Sequence, residues 1–280
     1  MRNKFHLIDK QILATVIYIY SILITVFGLL EFFLEWTPKM KLVALISLFF
    51  IAVFVYLIVI FVKNKSKKVR LKIGETEVVI EEGDIFEYPD SYYKVIAFNE
   101  YFDTRVDDHI ISSKSLNGKY INRMYCDGPQ DLDQKIKEQL KGKRGNRNKE
   151  REVAGKQYQY PLGSIVVDGE YFLVAFTRFD QYNHARLELP ELLFCLINMW
   201  KEIDDHKNNN SIVLPLLGSG QTTRIPKIQL TDQDLLEIIL DTIRISRIHI
   251  KKPNTITIAL EKHRLKTIDI YRIKQLYANR

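Results

Sequence analysis

The sequence predicts an α/β protein in two parts: an N-terminal two-helix transmembrane hairpin, then a mixed sheet flanked by helices on both faces. Three observations carry this. Uncharged apolar runs fill residues 11–30 and 42–62. From about residue 72 the pattern changes to short β-branched runs alternating with amphipathic stretches, as a sheet with crossover helices requires. An apolar run at 211–217 opens into Gly218-Ser219-Gly220 and then an amphipathic segment, which is either an ordinary tight turn or a loop whose backbone N–H groups and following helix N-terminus face a phosphate.

Composition sets outer limits. The chain has 280 residues, enough for one or two domains, and a net charge of +7 that is unevenly placed. Its two cysteines, Cys126 and Cys195, lie far apart; no disulfide framework or zinc-type spacing is visible, and no metal or resident cofactor is expected.

Both apolar runs reach the roughly 20 residues that a membrane crossing needs. The first is too long for a cleaved leader and no small-x-small site follows it. The link at 31–41 contains Trp36 and Pro38 and is short enough to force an antiparallel hairpin. Arg2, Lys4 and Lys10 precede the first run; Lys63, Lys65, Lys67, Lys68, Arg70 and Lys72 follow the second, a cluster suited to anionic headgroups of the lipid bilayer. The link has only Lys39 and Lys41, offset by Glu31 and Glu35. The positive-inside rule then places both termini of a multi-pass protein in the cytoplasm. The expected division is a basic N-terminus at 1–10, the hairpin at 11–62, a basic juxtamembrane linker at 63–73 and a ligand-binding domain at 74–280.

Within that domain, strands are expected at 77–81, 93–98, 212–217 and 255–260, and a hairpin or two adjacent strands at 163–167 and 171–177 with Asp168-Gly169 at the turn. Helices are expected over 107–125 with a break near Asn117-Gly118, over 131–140, 189–203 and 267–277, and over 232–245 with Thr231 as N-cap. Residues 141–156 are basic and almost free of apolar side chains, which predicts a solvated loop. No aromatic residue is interleaved there to stack a base, so nucleic acid is not an expected partner.

Four short stretches in order resemble the macro domain family: Gly83-Asp84-Ile85-Phe86 followed by Val95-Ile96-Ala97-Phe98-Asn99, then Pro161-Leu-Gly-Ser-Ile-Val166, Leu216-Leu-Gly-Ser-Gly-Gln221, and Thr255-Ile-Thr-Ile-Ala-Leu260. The run Asn99-Glu-Tyr-Phe-Asp103 with Ile110-Ile-Ser-Ser-Lys-Ser-Leu-Asn-Gly118 resembles the diverged macro domain of Thoeris antiphage systems. Two apolar helices ahead of it look like the membrane effector of the second type of that system. The resemblance implies a macro-like fold over about 72–280 and a protein of the bacterial inner membrane. It also implies an ADP-ribose-derived signal, such as a histidine- or imidazole-containing ADP-ribose conjugate, made by a TIR-domain partner. Sensing the signal would trigger membrane disruption by a homo-oligomer and abort the infection.

The resemblance also assigns roles. Asp84 would accept from an adenine amino group and Ile85 would read the ring; otherwise Asp84 caps a local turn. Asn99 and Phe102 would meet the distal ribose or what replaces it, and Asp103 would bind a ribose hydroxyl or a cationic group on the ligand; otherwise they are a strand-end turn residue, a core ring and a helix cap. Ser115, Leu116, Asn117 and Gly118 would form one pyrophosphate wall. Gly218, Ser219, Gly220, Gln221 and Thr222 would form the other, with Arg224 pairing to phosphate or to a surface acid. Macro domains that hydrolyse conjugates usually carry glycines soon after the asparagine, where this chain has Glu100-Tyr-Phe-Asp103. With no nucleophile–base pair visible, this favours sensing over catalysis. A membrane-tethered ADP-ribosyl hydrolase and a non-catalytic scaffold are the alternatives.

Overall fold

The computed structural model describes residues 10–31, 37–64, 68–143, 145, 147–148, 151, 155–180, 183–206, 208, 210–220, 230–249 and 254–277. The chain divides into two compact units, Arg2–Lys67 and Lys68–Arg280.

The first unit holds α1 (Lys10–Glu31) and α2 (Pro38–Asn64), which lie against each other. Among the described residues one helix, over Pro38–Val59, is long and apolar enough to cross a membrane. The apolar stretch of α1, Val16–Leu29, is shorter. At 1.5 Å per residue, about 14 residues cover about 21 Å of a hydrocarbon core about 30 Å thick. Helix α1 as a whole has 22 residues, about 33 Å at the same rise.

The second unit is one mixed eight-stranded sheet between helices. Its strands are β1 (Lys68–Ile73), β2 (Thr76–Glu82), β3 (Tyr92–Asn99), β4 (Ile165–Asp168), β5 (Tyr171–Phe179), β6 (Ala185–Arg186), β7 (Ser211–Pro215) and β8 (Ile256–Leu260). The order is β1-β2-β8-β7-β3-β5-β4, with β6 on β5. Strands β2, β8, β7, β3 and β5 run parallel; β1, β4 and β6 pair antiparallel. The helices are α3 (Leu116–Met124), α4 (Gln130–Gln139), α5 (Leu189–His206), α6 (Asp232–Ser246), α7 (Lys262–Leu265) and α8 (Ile270–Tyr277).

Alternation along each strand divides the core. Val95 of β3, Ile212 and Leu214 of β7, and Ile256 and Ile258 of β8 face one layer with the apolar sides of α5, α6 and α8. Ile96, Phe98, Val213 and Ala259 face the other with Tyr120, Ile121, Leu132 and Ile136 of α3 and α4. Thr231 caps α6 as its sequence predicts: its hydroxyl accepts from the Asp234 N–H, and the Asp234 carboxylate accepts from the Thr231 N–H in return.

Three stretches differ from the sequence reading. Residues 68–73, read as linker, form strand β1: Val69, Leu71 and Ile73 point inward, while Lys68, Arg70 and Lys72 point out beside Glu81, Glu77 and Glu75. The cluster of basic residues had masked a period of two. The helix expected over 107–125 is confined to Leu116–Met124 and runs unbroken through Asn117-Gly118. Gly118 belongs inside it because the helix crosses a backbone segment there; a Cβ at that position would lie 2.2 Å from the Ser112 carbonyl oxygen. Residues 141–156 are not uniformly solvated, since Arg151 is 1% exposed.

Candidate functional site

Five parallel strands bring their carboxyl ends to one edge of the sheet. The loops leaving β2, β3 and β7 carry Asp84 and Ile85, Asn99 to Asp103, and Leu216 to Gly220. Strands β3 and β7 are neighbours, yet their onward connections diverge: β7 leads to β8 on one side, and β3 leads towards β5 on the other. Such a topological switch point opens a crevice beyond the strand ends, where ligands of open α/β sheets bind.

On the β7 side the loop is set by Gly218, whose φ of +83° suits a residue without a Cβ. The Ser219 N–H and hydroxyl both donate to the Leu216 carbonyl, at 3.2 and 2.6 Å. The Ser219 carbonyl accepts from Arg264 Nη2 at 2.7 Å, and Arg264 Nη1 donates to Asp232 at the start of α6 at 2.9 Å. Arg264 thus ties the loop to α6. Its neighbours Lys262 and His263 give it no distinguishing signal in the sequence. Gly220 is exposed, and Gln221, Thr222 and Arg224 lie outside the described residues.

Asp84 caps a short 3₁₀ turn, Ile85–Glu87; its carboxylate accepts from the Phe86 N–H at 3.0 Å. Ile85 is buried, and the turn packs on β7. The Gly83 N–H donates to the Leu260 carbonyl, which fixes this turn at the same sheet edge.

Helix α3 lies against β3. Ser115 caps it, accepting from the Gly118 N–H at 3.2 Å, with Asn117 Oδ1 2.6 Å from the hydroxyl. Leu116 packs on the core beneath. The Ser115 to Gly118 stretch is therefore a capped helix start, with its hydroxyl and one N–H engaged internally.

On the β3 side the polar groups are buried and paired. Asn99 Oδ1 accepts from the backbone N–H of Tyr101 and Asp103, at 3.0 and 3.3 Å. Its Nδ2 donates to Asp103 Oδ2 at 3.0 Å. Asp103 also accepts from Arg151 Nη2 at 2.6 Å and from the Lys156 N–H at 2.7 Å. No helix follows for Asp103 to cap; it instead holds a buried ion pair. Phe102 adopts φ 49° and its ring is fully buried between Phe98 and Tyr160, a core side chain and not an exposed wall. Burial pushes the Glu100 carboxyl above its ordinary range although Arg178 Nη1 stands 2.7 Å away. Burial likewise pushes the Lys156 ammonium down, against the attraction of Asp133 and Asp103. His184 has its Nδ1 3.5 Å from Asp180 Oδ2.

The family model for the Thoeris protein ThsA macro domain matches residues 78–261. The chain belongs to the ThsA macro-domain family. A member of it, the Thoeris protein ThsA of Bacillus amyloliquefaciens (strain Y2), is 41% identical over 249 residues, 88% of this chain and 83% of that relative. Among solved structures, a mutant of the Oceanobacillus iheyensis macrodomain aligns at TM-score 0.47 and 15% identity, covering 76% of this chain and 95% of its own. The O. iheyensis macrodomain with ADP aligns at TM-score 0.47 and 14% identity, covering 76% and 98%. The ThsA macro-domain match runs from within β2 to the end of β8, so it encloses every candidate residue named above.

Proposed function

We propose that this chain is an antiphage defence effector whose macro unit binds an ADP-ribose-derived signal and acts on the bacterial inner membrane through its N-terminal helices. The observation that carries the reading is the switch point between β3 and β7. It is flanked by a glycine loop on one side and an acidic, amide-bearing loop on the other, in a chain of the ThsA macro-domain family. In this reading Asp84 and Ile85 receive the adenine. Ser115 to Gly118 and Gly218 to Thr222, with Arg224, enclose the pyrophosphate. Asn99 and Asp103 read the distal end, supported from beneath by Phe102. A TIR-domain partner supplies the signal, and the chain senses the signal without hydrolysing it. Both termini face the cytoplasm, α1 and α2 form a hairpin, and signal binding promotes a homo-oligomer that breaches the membrane. Ligand can drive that step only by binding the assembled state more tightly than the resting one.

The test is calorimetry on the full chain with ADP-ribose and its conjugates, beside Gly218→Asp. The added carboxylate would stand where pyrophosphate should lie. Wild type should bind and Gly218→Asp should not, while its thermal unfolding still shows one folded macro unit. Equal affinity in both proteins removes the loop from the site. Release of ADP-ribose from a protein conjugate would move the hydrolase reading ahead.

A further inference from the structure

Arg151 is the one described residue of 141–156 that is fully buried, and its surroundings are specific. Nη2 donates to Asp103 Oδ2 at 2.6 Å and to Asn183 Oδ1 at 2.7 Å; Nε reaches the same Asn183 oxygen at 3.2 Å; Nη1 donates to the Lys156 carbonyl at 2.6 Å. All three guanidinium nitrogens are engaged. The Cζ atom stands 3.9 Å from the centroid of the Tyr101 ring and 5.8 Å from that of Phe179. A cation close over an aromatic ring, together with three fanned donor nitrogens, suits a guanidinium and not a compact ammonium. Two further donors hold the ring in place: Asn148 and Gln159 reach the Tyr101 hydroxyl at 2.9 and 3.1 Å.

The walls come from the loops that leave β3 and β5, adjacent parallel strands, at the carboxyl edge that also carries the candidate site. The segment that supplies the cation brings no apolar side chain to the core among its described residues. A group that replaced both the charge and the donors of Arg151 would leave Asp103 compensated, so the pairing is open to exchange by such a group.

We propose that Asp103, Asn183, Tyr101 and Phe179 form a binding site for a planar cation, which the chain fills in cis with the guanidinium of Arg151. A ligand that presents such a group to Asp103 enters by displacing Arg151. This second statement rests on the functional reading above; the first does not, because the site is defined without a nucleotide.

The experiment uses the full chain in detergent, the variant Arg151→Ala, and methylguanidinium at millimolar concentration. Methylurea, planar but neutral, and methylammonium, charged but not planar, are the controls. The Arg151→Ala midpoint of thermal unfolding should lie below that of wild type. It should rise with methylguanidinium, as binding to the folded state alone requires, and stay put with either control. Wild type, its site already filled, should not respond. No rise in the variant, an equal rise in wild type, or an equal effect of methylurea overturns the proposal. Should Arg151→Ala not accumulate folded, Arg151→Lys places a cation of the wrong shape in the site. Its midpoint must then fall below wild type, and equality overturns the proposal. None of these readouts involves ADP-ribose, so failure here leaves the nucleotide reading to its own test.

Discussion

Replacing Asp103 by alanine should be a stability mutation before it is a binding mutation. The carboxylate is 2% exposed and faces a guanidinium that is itself buried, at 2.6 Å. Removing one member of such a pair leaves the other charge desolvated and uncompensated, a loss of about 3–5 kcal/mol. The Asn99 Nδ2 and the Lys156 N–H also lose their acceptor, but these losses belong to one network and do not simply add. Against the roughly 5–15 kcal/mol that holds a domain folded, the change is large and the variant should still fold. Taking away the second charge as well, in Asp103→Ala with Arg151→Met, removes the unpaired cation and should restore more than half of the loss. The chain offers a convenient probe: of its two tryptophans, Trp200 is fully buried in the macro unit, with Nε1 donating to Thr242 at 3.1 Å. In a Trp36→Phe background, urea titration followed by Trp200 fluorescence reads the midpoint and slope of that unit alone. A single-mutant loss below about 1 kcal/mol would contradict a buried, uncompensated charge. A double-mutant loss equal to the sum of the two single losses would show that the residues are not coupled.

Two further outcomes are expected. Gly118→Ala should gain about 0.5–1 kcal/mol of helix propensity but lose more to the clash with the Ser112 carbonyl oxygen, for a net loss of about 1–2 kcal/mol, read as a lower thermal midpoint. Asp168 ties the β4–β5 turn to α3 and α4: its carboxylate accepts from Tyr120, from Tyr125 at 2.6 Å and from Lys135 at 2.5 Å. Burial alone would raise this carboxyl, but the Lys135 ammonium and the two hydroxyls outweigh it and hold it below the ordinary value. The folded-state value thus lies below the unfolded one, so the stabilisation is complete above the ordinary carboxylate range and is lost as pH falls through the lowered value. Asp168→Asn should cost about 2 kcal/mol at neutral pH and little in strong acid, narrowing the gap to wild type as urea midpoints are followed downward in pH.

The parts of the fold written in local pattern were legible. The β-branched run at 255–260, the Asp168-Gly169 turn and the Thr231 cap each announce themselves within a few residues, and each stands where its pattern indicates. The macro-like character lies in short motifs that follow one another in order, and the family match over residues 78–261 takes in all four. Long-range pairing erased the rest. Strand β1 looks like a lysine-rich linker until Glu75, Glu77 and Glu81 stand beside its basic side chains. Arg151 looks like any member of a basic run, and only Asp103, Asn183 and Tyr101, brought together by strands β3 and β5, single it out. Asn99 and Asp103 stand at the end of β3 and in the turn after it, and their partners are each other and Arg151, contacts that no local pattern announces.

The pairing of β2 with β8 has a consequence for how the protein is made. Val78 lies opposite Ile256, and the Thr76 hydroxyl donates to the Ile248 carbonyl across 172 residues. At about 5–20 residues per second, the early β1–β2 hairpin waits roughly 9–35 s for the strand that covers its inner edge. During that interval the nascent chain presents an open, apolar strand edge of the kind that templates aggregation. Lys68, Arg70 and Lys72 on one strand and Glu77 and Glu81 on the other give the waiting hairpin a charged face. Since β7 is also synthesised late, a ribosome-bound or truncated chain cannot assemble the switch point. The sheet is completed only once β8 has been made.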